Sequence, residues 1–298
     1  MMNKSNIKIC DVNSSRILMN KKVPLDYIHL GDCIEYMRSV PSSSVDLVIT
    51  DPPFNIGKKY DSYSDNLKFE EYLNWCYKWL DEVTRILKPE GSLYLFNYPE
   101  NNAYLKVYLD KKMKFRRWLT WHYNTNTGHS KINYTRTQHS ILFYTKGNNY
   151  VFNKETIVQP YKNPNDKRIK KLLSEGKKGT GPYDVFIFNI VKNVSKQKTE
   201  HIAQLPVELV EVFVKASSLK NQIVFDPFMG SGTTAIAAHK NGRYYLGCEI
   251  SKKYYGIIQN RLANLDNYIK ESELQEKSRQ KLISTINQQG VVITTNSC

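Results

Sequence analysis

The chain has 298 residues, and its 43 Lys and Arg against 28 Asp and Glu leave a formal charge of +15. Its five cysteines (Cys10, Cys33, Cys76, Cys248, Cys298) are scattered, odd in number and without a C-x-x-C pair, which indicates neither a disulfide framework nor a metal site. No apolar run is long enough to span a bilayer and residues 1–20 carry no signal-peptide core, so the expectation is a cytoplasmic protein with no membrane partner.

The charge is uneven. Residues 1–100 hold 12 basic and 14 acidic side chains, residues 101–200 hold 20 and 6, and residues 201–298 hold 11 and 8. Phosphate contacts by Lys and Arg dominate nucleic-acid affinity, so a field concentrated in the middle third points to a polyanion partner. The plain alternative is a basic surface that only keeps the chain soluble.

In chain order, Tyr27–Leu30 reads as a short strand ending at Gly31-Asp32-Cys33, followed by a helical stretch to Val40 and a Pro-Ser-Ser-Ser turn. Val45–Ile49 has the length and β-branched content of a buried parallel strand, which completes a β-α-β unit. It is cut off by Asp51-Pro52-Pro53-Phe54. The two prolines fix φ and lack N–H groups, so the turn is stiff and its carbonyls are left to accept hydrogen bonds from a ligand. A carboxylate, a neighbouring free carbonyl and an aromatic face together grip a flat ring bearing an NH2 group. Residues 57–66 read as a mobile polar loop beside this turn, able to close over a ligand.

Apolar residues then recur at helical spacing from Leu67 to Leu87, and Lys88-Pro89-Glu90-Gly91 is expected to end the helix before a strand at Ser92–Phe96. A basic, partly helical stretch is expected over Tyr104–Lys114. Strands are expected at Arg116–Tyr123 and Gln138–Tyr144, near a sheet edge, around the polar loop 124–137. Residues 147–200 have weak periodicity and many Lys and Asn, and read as an inserted recognition region, partly disordered without its ligand. Its aromatic residues (Tyr150, Phe152, Tyr161, Tyr183, Phe186, Phe188) either stack on bases or form a small satellite core.

Order returns with a helix opening at Pro206 and a strand over Gln222–Phe225. There follows Asp226-Pro227-Phe228-Met229-Gly230-Ser231-Gly232-Thr233-Thr234, which runs into the helical stretch Ala235–Lys240. The glycines allow close backbone approach to a ligand, and the helix N-terminus favours a carboxylate. Strand Arg243–Cys248 ends in Glu249, where a β-α-β nucleoside site places an acid for the ribose hydroxyls. The third glycine of G-x-G-x-x-G is missing and there is no G-x-x-x-x-G-K-[ST], so no pyrophosphate or triphosphate cradle is evident. From Ser251 an amphipathic helix runs through Tyr255, Ile258 and Leu262 into a polar tail.

The pair Asp51-Pro52-Pro53-Phe54 and Asp226 to Thr234 resembles the two signature motifs of S-adenosylmethionine-dependent amino-methyltransferases that act on DNA. With the D-P-P-F motif first, the basic region next and the F-x-G-x-G motif last, the order is similar to the β group of that family. The resemblance covers residues 25–146 and 198–265. It implies a Rossmann-like class I methyltransferase α/β sheet, mostly parallel with an antiparallel edge strand, circularly permuted and carrying a target-recognition insert. The implied parts are a catalytic half at 24–146, the insert at 147–200, a cofactor half at 201–271 and a polar tail at 272–298.

By the same resemblance Asp51, Pro52, Pro53 and Phe54 are the catalytic residues. Asp32, Cys33, Asp51, Asp226, Phe228, Gly230, Ser231, Gly232, Thr233, Thr234 and Glu249 are those that hold S-adenosyl-L-methionine, with Gly31-Asp32-Cys33 bordering its adenine. His201-Ile202-Ala203-Gln204-Leu205-Pro206 departs from the family's usual His-Pro-x-Gln-[Lys]-Pro, so no lysine there is assigned to the cofactor carboxylate. The implied substrate is double-stranded DNA with a flipped adenine attacked at N6, cytosine-N4 being the alternative because its enzymes more often carry Ser in place of Asp51. A restriction-modification role beside an endonuclease, and a homodimer, follow from the family. A DNA-binding module without catalysis is the reading from another class, and it gives no reason to place Asp51, Asp226 and Glu249 at strand ends.

Overall fold

The computed structural model describes residues 16–17, 23–58, 65–123, 130–161, 163–191, 198–201 and 203–265. The expected tail at 272–298, residues 59–64 of the polar loop and residues 124–129 of the second loop lie outside them. In chain order the strands are β1 Arg16–Ile17, β2 Pro24–Leu25, β3 Tyr27–Leu30, β4 Val45–Thr50, β5 Leu87–Asn97, β6 Lys114–His122, β7 Gln138–Thr145, β8 Val185–Ile187, β9 Ile223–Asp226 and β10 Tyr244–Glu249. The helices are α1 Cys33–Ser39, α2 Phe69–Ile86, α3 Pro99–Leu109, α4 Lys167–Ser174, α5 Val207–Ser217, α6 Thr233–Lys240 and α7 Lys252–Ala263. Among the described residues no helix is long and apolar enough to cross a membrane.

Eight strands form one sheet in the order β3-β10-β9-β4-β5-β7-β6-β8, while β1 and β2 pair separately. Pairing is parallel from β3 through to β5, antiparallel on both sides of β7, and parallel again between β6 and β8. The reversed strand expected at the edge is therefore β7, held between two neighbours. It follows β6 through a hairpin-like return, so it must run against it.

Both faces of the sheet are covered, which is why β4 is buried along its whole length. Val45 and Val48 join the core under α1, α2 and α3, whereas Leu47 and Ile49 join the core under α5, α6 and α7. On α2 the buried positions Tyr72, Leu73, Cys76, Trp79, Leu80, Val83 and Ile86 repeat at helical spacing. Each large apolar side chain buried this way contributes about 1.5–3 kcal/mol.

Two expectations change at element ends. Lys88–Gly91 does not separate α2 from a later strand: β5 begins at Leu87, which pairs with Val45 and draws the Lys-Pro-Glu-Gly stretch into extended backbone. Helix α3 starts at Pro99 and stops at Leu109, earlier than Tyr104–Lys114, because Pro99 sits in the first turn where its missing N–H costs nothing. The described part of 147–200 is joined to the sheet and to α5. Strand β8 extends the main sheet through Thr120, Trp121 and His122, and Asn153 Nδ2 donates to the carbonyls of Lys215 and Ser218 at 3.1 and 3.0 Å. Its aromatics sort accordingly: Phe186 is buried against Phe213 with ring centroids 5.3 Å apart, Tyr150 and Phe188 pack on the same core, and Tyr183 is exposed.

Candidate active site

Strands β4, β9 and β10 all point their carboxyl ends to one side of the sheet, so Asp51, Asp226 and Glu249 gather at a single crevice. A cavity of about 560 Å³ runs between the Asp51 turn and the glycine turn. Of the residues expected to be catalytic or to hold the cofactor, all line it except Gly232. Gly232 serves a different end: its φ is +82°, and a Cβ there would come within 2.9 Å of the Ile258 side chain. It lets the turn pack under α7 and does not face the ligand space.

The Asp51 turn is held by side chains that local patterning gave no reason to notice. Tyr72 Oη donates to the Pro53 carbonyl at 2.9 Å and accepts from Asn97 Nδ2 at 3.0 Å. Asn101 Nδ2 donates to the Phe54 carbonyl at 2.8 Å and to Asn97 Oδ1 at 2.9 Å. The next stretch is tied back by buried Asp65, whose carboxylate accepts the backbone N–H groups of Asn55, Ile56 and Lys58 at 2.8, 3.1 and 3.0 Å. The Pro52 carbonyl, by contrast, takes no hydrogen bond among the described residues.

Asp51 itself is unsatisfied. Its Oδ1 is sealed from solvent with no hydrogen-bond partner among the described residues. Burial raises its carboxyl to about 7, an effect opposed by the Lys58 cation and reinforced by Asp226. Phe54 is buried with its ring 4.9 Å from Tyr98 and 5.3 Å from His139. Arg136 lies over Tyr98 at 4.0 Å and donates to Glu100 at 2.6 Å, which props the outer wall of this pocket.

On the other side each acid is already engaged. Asp226 Oδ1 accepts the Phe228 N–H at 3.0 Å and its Oδ2 accepts the Thr234 hydroxyl at 2.6 Å. Glu249 accepts the Gly230 N–H at 2.7 Å through Oε2 and the Ser251 N–H at 2.8 Å through Oε1. Burial raises Asp226 to about 7 and moves Glu249 upward as well, while these donors pull both back. Asp32 caps α1, its Oδ1 accepting the N–H groups of Ile34 and Glu35, both at 2.9 Å. Burial pushes the Cys33 thiol far above its ordinary range, so it stays neutral. Phe228 packs on Trp75 and Trp79 with centroids 5.4 and 5.3 Å away. At Gly230 a Cβ would meet His201 Nε2 at 2.9 Å, so the imidazole rests directly on the glycine backbone. Among the described residues no cluster of His, Cys, Asp and Glu could hold a metal ion.

A largely parallel sheet with one reversed strand, helices on both faces and a glycine turn facing an Asp-Pro-Pro turn across one crevice defines a class I methyltransferase domain. Within that class the chain belongs to the N6/N4 family of DNA methylases, which matches residues 45–260. It is 36% identical over 248 residues to the type II methyltransferase M1.MboII of Moraxella bovis, covering 77% of this chain and 94% of that one. It is 30% identical to the DNA adenine methyltransferase YhdJ of Escherichia coli K12, covering 84% and 86%. Among solved structures, the cytosine-N4-specific PvuII DNA methyltransferase superposes with a TM-score of 0.62 at 18% identity, over 81% of this chain and 91% of that one. TTHA0409 of Thermus thermophilus, complexed with S-adenosyl-L-methionine, superposes with a TM-score of 0.56 at 25% identity, over 80% and 93%.

Proposed function

We propose that this DNA methylase transfers a methyl group from S-adenosyl-L-methionine to the exocyclic amino group of a base swung out of double-stranded DNA, adenine N6 in a short specific sequence. The observation that carries the reading is the pair of unused acceptors at the Asp51 turn, Asp51 Oδ1 and the Pro52 carbonyl, beside the Phe54 ring and in one cavity with the glycine turn.

The residues fit the cofactor. After its two backbone bonds Glu249 retains a lone pair on each oxygen for ribose hydroxyls. Phe228 and Trp75 give a flat apolar wall, and the cavity is of the size that encloses small molecules. When bound, the cofactor supplies an electrophilic methyl. Asp51 and the Pro52 carbonyl accept the two N–H groups of the target amine and favour a pyramidal nitrogen, whose lone pair is otherwise delocalised into the ring. Phe54 stacks on the base and fixes its plane. A carboxyl near pH 7 suits Asp51 to take the proton that the amine sheds once methylated.

Adenine is favoured by the Asp in the Asp51 position and by the 30% identity to an adenine enzyme over most of both chains. The fold shared with PvuII supports cytosine-N4 as the second reading. The type II names of relatives support a modification role paired with an endonuclease, and a homodimer belongs to the same reading. In this reading residues 24–146 carry the catalytic half, 201–271 the cofactor half and 147–200 the recognition region, whose exposed cations on α4 meet DNA phosphates. The test is single-turnover methylation by Asp51→Ala. The expected loss is about 10²–10³-fold with S-adenosylmethionine and DNA binding intact. A near wild-type rate would sink the reading. Mass spectrometry of the methylated nucleosides separates the two bases.

A further inference from the structure

His139, the second residue of β7, sits where the reversed strand reaches the crevice, and nothing in its surroundings explains why a histidine stands there. Its ring is enclosed by four others: Trp121 at 5.1 Å, Phe54 and Tyr98 at 5.3 Å and Tyr123 at 5.7 Å between centroids, all edge-on. A phenylalanine would fill such a box with no polar atom to satisfy. Neither ring nitrogen of His139 has a hydrogen-bond partner among the described residues, and Nδ1 is sealed from solvent. His201, which also lines the crevice, and His122 differ. His201 Nδ1 accepts the Ala203 N–H at 3.3 Å, and His122 Nδ1 pairs with the Thr137 carbonyl at 3.0 Å. Enclosure and the nearby Lys58 and Arg136 cations hold the His139 imidazole neutral, at about 3, so it offers one N–H and one lone pair.

Phe54 touches His139 and belongs to the Asp51 turn, and Asp51, the Pro52 turn and His139 all line the one cavity. We infer that His139 is a specificity-determining residue that donates an N–H to the unprotonated ring nitrogen flanking the target amino group. Adenine carries such acceptors at N1 and N7, and cytosine carries one at N3; on the pairing edge guanine presents a protonated N1 beside its amine, and thymine has no exocyclic amine. Asp51 would grip the amine while His139 tests what lies beside it. This rests on the amino-methylation reading above.

The experiment pairs wild type and His139→Phe, which keeps the aromatic box, against oligonucleotides with adenine, 1-deazaadenine, 7-deazaadenine, cytosine or 3-deazacytosine at the target. In wild type, one deaza analogue of the methylated base should lower kcat/KM roughly 10- to 100-fold, the loss expected for one base-edge hydrogen bond. His139→Phe should lose a similar factor on the natural base and almost nothing further on that analogue. A variant that loses the same factor on every substrate would show a packing role, and one that loses nothing would show no role; either overturns the inference. His139→Gln, which restores a donor, should recover part of the natural-base rate without changing the response to the other analogues. If wild type methylates no base at all, the amino-methylation reading fails, and the two failures are thereby told apart.

Discussion

The two sides of the crevice are built from similar parts and finished differently. On the glycine-turn side, Asp226 and Glu249 spend all four carboxylate oxygens on backbone N–H groups and a hydroxyl of the protein itself. On the Asp51 side, Asp51 Oδ1, the Pro52 carbonyl and His139 Nδ1 have no partner among the described residues, although the backbone around them is tied down by Tyr72, Asn101 and Asp65. A satisfied site is stable before its ligand arrives. An unsatisfied one costs stability, because a buried acceptor without a donor forfeits about 1–3 kcal/mol, and it recovers that free energy only with a ligand that donates. The first kind of finish suits a cofactor bound at every turnover, and the second suits a group whose approach must be selective.

The contrast can be broken most sharply at Asp226. Asp226→Ala orphans the Phe228 N–H and the Thr234 hydroxyl and should lower unfolding stability by about 3 kcal/mol, whereas Asp51→Ala should lower it by less than about 1 kcal/mol. Urea titrations of both variants decide it, and equal losses would erase the distinction. Next in size is Glu249→Gln, in which one oxygen becomes a donor facing a backbone N–H. S-adenosylmethionine affinity should fall by about 1–3 kcal/mol in calorimetry. Unchanged affinity would mean that Glu249 only holds the glycine turn.

Asp51→Asn tests the unsatisfied side through pH. A carboxyl raised in the folded protein from 3.8 to about 7 keeps its proton between those values, while the unfolded chain has lost it. The folded state is then penalised progressively as pH rises from about 4 to 7. Asparagine removes that penalty, so the variant should gain about 2–3 kcal/mol over wild type on going from pH 5 to pH 8. A constant difference across that range would mean that the carboxyl is not shifted. The smallest effect is expected far from the crevice. Replacing Lys167, Arg168, Lys170 and Lys171, all exposed on α4, with Gln should flatten the slope of log affinity against log salt on specific and non-specific DNA alike. An unaltered slope would leave that helix facing solvent in the complex.

Much of this was legible in the chain. Val45–Ile49 followed by two prolines, and an acid-led glycine turn opening a helix, announce strand ends by local chemistry alone. Glu249 was reachable because strand, turn, helix and strand have regular lengths. What escaped was what depends on partners distant in sequence. Asp65 holds backbone groups seven to ten residues away, and Tyr72 reaches Pro53 across 19 residues, at positions where periodicity reads them as a loop acid and one more core aromatic. His139 sits in an alternating strand whose apolar members explain themselves, and only the rings converging from Phe54, Tyr98, Trp121 and Tyr123 set it apart. The start of β5 was missed for the same reason, since Leu87 becomes a strand residue only by meeting Val45.

The three residues of β8 have a consequence for the protein outside DNA. They cover the free backbone of β6 over Thr120, Trp121 and His122, with Asp184 and Phe188 adding a hydrogen bond at each end. Without them the sheet would finish in an open, aromatic-bearing strand, the kind of border that recruits strands from other molecules. The segment that carries β8 thus also guards the sheet against self-association. A shortened protein that lacks this strand should scatter light at micromolar concentration.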